Sequence, residues 1–333
     1  MHMADALLSP AVGATMWAVS AVSIGVSAVK IKKDELSEKK LPIMAVTGAF
    51  VFAAQMINFT IPGTGSSGHI GGGILLAGLL GGFPALLSIA AVLIIQCLFF
   101  ADGGLLALGC NIFNMGVIPC LIIYPLLFKP LLRSNVSAKR LTLASILSVM
   151  LGLEVGAFCV VLETVASGVT ELPFATFTAL MLPIHLAIGL VEGVVTAAIL
   201  CFVRSMRPEL LQSSLERKAM APGLSVKRTV AALALLAVLV GGGLSLFASS
   251  HPDGLEWSME QVAGTTELSR DDAAHEAAAN VQDRTAVMPD YDFSAGQGTG
   301  TSVAGLVGGV LTFGLAGAAG VAVWAVKKHK KTT

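Results

Sequence analysis

The strongest constraint on this chain is the alternation of long apolar runs with short polar breaks. Apolar runs occupy 9–29, 41–59, 83–100, 105–128, 141–165, 174–203, 229–248 and 302–326. Each approaches the ~20 residues that a helix needs to cross a bilayer. In hydrocarbon every backbone N–H and C=O must find its partner inside the segment, so such runs specify helices. A ninth run, 70–82, is too short to cross unless the protein itself surrounds it. Charged residues make up 13% of the chain, against roughly 25% in a soluble domain. The expected fold class is an all-α polytopic membrane protein.

Charge sets the direction of the runs. Apart from Arg270 and Arg284, every Lys and Arg falls in one of four stretches, 30–40, 129–140, 204–228 and 327–331. The positive-inside rule makes these stretches cytoplasmic. Alternation then works if 70–82 counts as a membrane segment, giving a seven-helix module followed by a two-helix module. The N-terminus, the loop 63–73, the turn at Asp102 and the segment 250–301 fall outside, and the C-terminus is cytoplasmic. The boundaries read as 1–205, a linker at 206–228, and 229–333. The loop 250–301 is acidic, with ten Asp or Glu against two Arg. It opens on a Pro252-Asp253-Gly254 turn signal and an interfacial Trp257. Residues 270–283 read as a solvated surface helix or a partly disordered stretch. The formal net charge of zero gives no reason to expect nucleic acid. Five scattered cysteines read as buried small hydrophobes.

Within this frame the first two residues stand out. The α-amine of Met1, the amide nitrogen of His2 and the His2 imidazole can close two fused chelate rings in one plane. A square of nitrogens favours Ni(II) or Cu(II), and His69, on the same side of the membrane, is the expected fourth ligand. A purely structural role for His69 is the competing reading. The start of the chain lacks the basic region and cleavage site of a signal peptide, so the amine is expected to persist. Asp5 is a candidate to orient an imidazole or to cap the first helix, and Ser67, beside His69, is a candidate for the same supporting role. Asn111 and Asn114 share a helix face, either lining the cavity below the loop or bridging helices. Met3 reads as packing, and Glu154 as an intramembrane polar group.

Other motifs compete. Gly63-Thr-Gly-Ser-Ser-Gly68 fits G-x-G-x-x-G, but no strand precedes it and a histidine stands where a Walker lysine belongs. His185 and Glu192 are seven apart on one face, which suits either the proton relay of a proton-coupled divalent metal carrier, the alternative function, or helix–helix bonding. Ala45, Ala49 and Ala53 form a small-residue stripe, for packing within the chain or for a partner interface.

Taken together, the opening MHMADALLSP, the SGHIGGG loop, DGGLLALGCNIFNMG and PDGLEWS resemble the CbiM/NikM family. These are the substrate-capture components of cobalt/nickel energy-coupling-factor transporters, here with a CbiN/NikN-type PDGLE module fused behind. The resemblance implies that Met1, His2 and His69 bind Ni(II) or Co(II) as substrate, with nickel slightly favoured and no prosthetic group. It implies a transmembrane coupling subunit and two cytoplasmic ATPase subunits as partners, in a prokaryotic inner membrane, with no catalysis by this chain. It also implies that the Ala45, Ala49 and Ala53 face meets the coupling subunit, and that the small module helps load metal.

Overall fold

A computed structural model describes residues 1–31, 36–133, 136–219, 225–292 and 300–329. The first module contains helices α1 (Pro10–Lys30), α2 (Lys40–Gln55), α3 (Gly73–Leu80), α4 (Gly82–Phe100), α5 (Leu108–Leu132), α6 (Ala138–Ser167) and α7 (Phe174–Met206). After α8 (Pro208–Glu216) come α9 (Lys227–Gly242), α10 (Gly254–Ala263), α11 (Ala273–Thr285) and α12 (Gly300–His329). Among the described residues, seven helices are long and apolar enough to cross a membrane, and α2 is a shorter apolar helix of the same kind.

Local chemistry accounts for the helix ends. Ser9 caps α1 by accepting from the Val12 N–H, and Pro10 supplies a ready-made first turn. The outer face of α1 exposes Val22, Val26 and Val29, apolar surface that a bilayer accommodates. The short run became α3, which spans only about 12 Å. Every residue of α3 is buried, so the chain does surround it, as its length requires. The middle of α5, Phe113–Phe128, is widened into a π-helix that contains Pro119 and Pro125. A proline lacks the N–H that a regular turn needs.

Three expectations are revised. Residues 59–68 form a small antiparallel hairpin, β1 (Phe59–Ile61) with β2 (Ser66–Gly68), in the register Phe59↔Gly68 and Ile61↔Ser66, so α2 stops at Gln55 and a short strand does precede the glycine string. The stretch 206–228 is more than a linker. Its apolar residues Leu210 and Leu211 are buried, and the Ser214 hydroxyl donates to the Leu79 carbonyl at the end of α3. The stripe Ala45, Ala49 and Ala53 is buried under the chain's own α9 and α12. A Cβ at Gly241 would stand 3.1 Å from that of Ala53, and one at Gly317 would stand 3.4 Å from that of Ala45. Small residues on both sides let these backbones approach, so in this structure the packing reading of the stripe holds rather than a partner surface.

The described part of the polar segment between α9 and α12, residues 243–292, is folded down onto the first module. Trp257 packs against Ile61, Ile184 and Ile188 rather than standing free. Helix α11 carries Gln282, whose amide donates to the carbonyls of Cys97 and Gly103 and accepts from the Leu105 N–H.

Candidate metal-binding site

Four separate stretches meet at one end of the bundle: the N-terminal segment, the hairpin β1–β2, the turn after α4 and the segment before α10. The N-terminal segment is held as an extended strand by Asn111. Its Oδ1 accepts from the Met3 N–H at 2.8 Å and its Nδ2 donates to the Met3 carbonyl at 3.2 Å. Met3 is wholly buried, which bears out its reading as packing. This clamp aims His2 at His69. Their rings stack with centroids 5.2 Å apart and planes 19° from parallel.

His69 follows β2 directly. Its Nδ1 donates to the Ile70 carbonyl at 3.1 Å, which leaves Nε2 as the lone-pair atom. The glycines after it serve close approach. Gly72 has φ +79°, and a Cβ there would meet Val51 Cγ1 at 2.5 Å. The buried Glu192 carboxylate accepts from the N–H groups of Gly71 at 2.8 Å and Gly72 at 2.9 Å. Two backbone donors thus satisfy an acid deep in an apolar helix. His185, by contrast, donates from Nδ1 to the Met181 carbonyl at 2.7 Å. Glu192 and His185 are therefore bonded separately, and the relay drawn between them in sequence has no direct link here.

The Met1 amine is bound by the Asp253 carboxylate. Asp253 sits in the Pro-Asp-Gly-Leu-Glu motif, where it is also the N-cap of α10. Its Oδ1 accepts from the Leu255 and Glu256 N–H groups, and Glu256 accepts in return from the Asp253 N–H. This is a capping box, whose D-x-x-E spacing is visible in the sequence. The hairpin receives the same motif: Ser67 donates through its N–H to the Pro252 carbonyl at 2.8 Å and through its hydroxyl to the His251 carbonyl at 2.7 Å. Ser67 is thus a docking residue for the second module.

The other candidates fall into place with different partners. The Asp5 side chain neither orients a ligand imidazole nor caps α1; its Oδ1 accepts from the Ala107 N–H at 2.8 Å, while its backbone carbonyl lies 2.9 Å from His275 Nε2. Asn114 donates to Glu163 at 2.7 Å, bridging helices α5 and α6. The turn residue Asp102 approaches His2 Nδ1 at 3.2 Å and accepts from the Tyr291 hydroxyl. His2 Nε2 pairs with Gln96 Oε1 at 3.1 Å. Asp253, Asp102, Gln96 and Gln55 were not singled out from sequence as site residues. Two glutamines inside apolar helices were an available signal, since buried polar groups in membrane segments tend to be functional.

Electrostatics suit a cation. Burial, followed by the charge of the Met1 ammonium, lowers His2 to about 3 and His69 to about 4. Both imidazoles are therefore neutral at physiological pH, the form that binds metal. Burial works to raise Asp253, but the charge and hydrogen bond of the Met1 ammonium, with the Glu256 N–H, outweigh it and hold the carboxyl well below its ordinary range. Burial pushes Asp102 up despite the Tyr291 hydroxyl. Among the described residues no three His, Cys, Asp or Glu side chains are grouped to hold an ion.

The comparisons with known proteins agree with this architecture. Residues 2–210 match the CbiM family, described as the cobalt uptake substrate-specific transmembrane region, and residues 227–325 match the PDGLE domain. The chain is 31% identical to the fused nickel transport protein NikMN of Rhodobacter capsulatus, over 81% of this chain and 78% of that one. It is 30% identical to the cobalt transport protein CbiM of Sorangium cellulosum, over 68% of this chain and all of that one. A crystal structure of a truncated transition metal transporter superposes with a TM-score of 0.54 at 30% identity, covering 62% of this chain and 99% of that one. The chain belongs to the CbiM family of nickel and cobalt transport membrane proteins and carries a PDGLE domain in the same polypeptide.

Proposed function

We propose that this chain is the metal-capturing subunit of an ATP-driven importer of the energy-coupling-factor type, taking up Ni(II) or Co(II). The ligands are the Met1 amine, the His2 amide and Nδ1, and His69 Nε2. The observation that carries this reading is the juxtaposition of the Met1 amine, His2 and His69, drawn from positions 1, 2 and 69 into one shielded cluster. A planar nitrogen square suits Ni(II), so nickel is slightly favoured over cobalt. By the positive-inside rule the site faces outward and the basic stretches face the cytoplasm of a prokaryotic cell. A transmembrane coupling subunit and two ATPase subunits supply the energy, and this chain performs no catalysis.

The decisive experiment adds one residue before Met1 in the full chain, leaving His2 and His69 in place. Displacing the amine from its position next to His2 breaks the fused chelate, so nickel binding measured by competition titration should be lost. Binding at the original affinity overturns the amine–amide ligand set.

A further inference from the structure

A chain of hydrogen bonds runs from His2 to the backbone of Gly71, two residues after His69, and its polarity follows link by link. The Gly71 carbonyl can only accept, so Gln55, 3.0 Å away, turns its Nε2 toward it. Gln55 Oε1 then faces Gln96, which donates through Nε2 at 2.9 Å. Gln96 is left presenting Oε1 to His2 Nε2 at 3.1 Å, and an oxygen in that position requires the ring nitrogen to carry the proton. Both glutamines are buried. Inverting Gln55 would set like groups face to face at both of its ends, and inverting Gln96 would turn its oxygen onto that of Gln55. At the far end, Gly71 is anchored by the bond from its N–H to Glu192.

A second influence acts on the same ring. Asp102 Oδ1 lies 3.2 Å from His2 Nδ1, and a carboxylate there draws the proton to Nδ1. The two neighbours ask for opposite tautomers.

We propose that Gln96, oriented by Gln55, is a positioning residue that fixes His2 in its Nε2–H tautomer and leaves the Nδ1 lone pair for the transported cation. This rests on the chelate reading above, in which the six-membered ring closes through Nδ1. Outer hydrogen bonds of this kind set the tautomer and orientation of ligand histidines generally. The chain also ends on the backbone of the segment that follows His69, so one network sets His2 and the His69 loop in register.

The test is imidazole nitrogen NMR on the metal-free full chain, labelled with 15N-histidine and held in lipid nanodiscs, with nickel titrations alongside. Wild type should show His2 as Nε2–H. Gln96→Met should move the proton to Nδ1 and weaken nickel binding about 10- to 100-fold. Gln96→Glu keeps an oxygen toward His2 and, as the neutral acid, a donor toward Gln55, so it should restore both readouts. Three results would overturn the proposal: Nδ1–H in the metal-free wild type, unchanged nickel affinity in Gln96→Met, or weakened binding there with the tautomer unchanged. The wild-type spectrum needs no variant and decides the matter if Gln96→Met does not fold. A failure of the ligand assignment itself is distinct: wild type would bind no nickel while the tautomer still read Nε2–H.

Discussion

One oxygen of the Asp253 carboxylate holds the Met1 amine while the other caps helix α10. The second module therefore occupies a nitrogen that the proposed site needs, and a bound cation must displace it. Asp253→Asn keeps a good cap but removes the charge. A hydrogen bond to a charged group contributes about 1.5–3 kcal/mol, so nickel should bind roughly 10- to 100-fold more tightly. Isothermal titration of the full chain checks this, and weaker binding would assign Asp253 to building the site instead.

Metal binding should release protons. His2 and His69, held near 3 and 4, are neutral rings with no imidazolium proton to release at neutral pH. Protons released there come from the amine and the amide, roughly two per ion. Calorimetry in buffers of different ionisation enthalpy counts them. Equal affinity at mildly acidic and neutral pH would speak against amide ligation.

His275 gives the docking of α11 its own pH dependence. Its Nε2 lies 2.9 Å from the Asp5 carbonyl and 3.1 Å from that of Leu8, and its Nδ1 lies 2.8 Å from Asp272. Burial disfavours the charged ring, but Asp272 and the Asp5 carbonyl outweigh it and raise His275 above its ordinary 6.5. A raised value means the contribution is complete below pH 6.5 and is lost as pH climbs through the folded value. Hydrogen exchange across 273–285, corrected for intrinsic rate, should quicken above that pH. His275→Gln should flatten the profile.

Glu192→Gln tests the anchor of the His69 loop. An amide offers one acceptor where the carboxylate offers two, so one of the Gly71 and Gly72 N–H groups loses its partner. An unmet buried donor costs about 1–3 kcal/mol. We expect a lower melting temperature and weaker nickel binding together. Unchanged nickel affinity would detach Glu192 from the site.

Gly72→Ala probes the same loop sterically. Its left-handed φ and the Val51 contact predict a loss of about 1–3 kcal/mol. Thermal melts with and without nickel should show both a lower transition and a smaller metal-induced shift.

Much of the architecture was legible in the residues. Apolar length predicted the spans, including the buried eight residues of α3. Other features were not. The docking of α8 by Leu210 and Leu211 lay hidden in a stretch whose charge reads as solvated. The Ala45, Ala49 and Ala53 stripe announced close packing, but small residues carry no record of which helix will cover them. The Pro-Asp-Gly turn was visible, whereas the amine that Asp253 binds lies 252 positions away.

Sequence alone determined the helices and singled out the proposed chelating pair, because both are local. A helix bonds within a turn, and the rings of Met1 and His2 close within one peptide unit. Tertiary structure decided what surrounds that pair: Asp253 on the amine, Asp102 and Gln96 on the two nitrogens of one imidazole, and Glu192 beneath the loop of His69. These contacts depend on how packed helices bring distant polar atoms to hydrogen-bond distance. A shift of less than an ångström makes or breaks each of them, and no spacing along the chain encodes it.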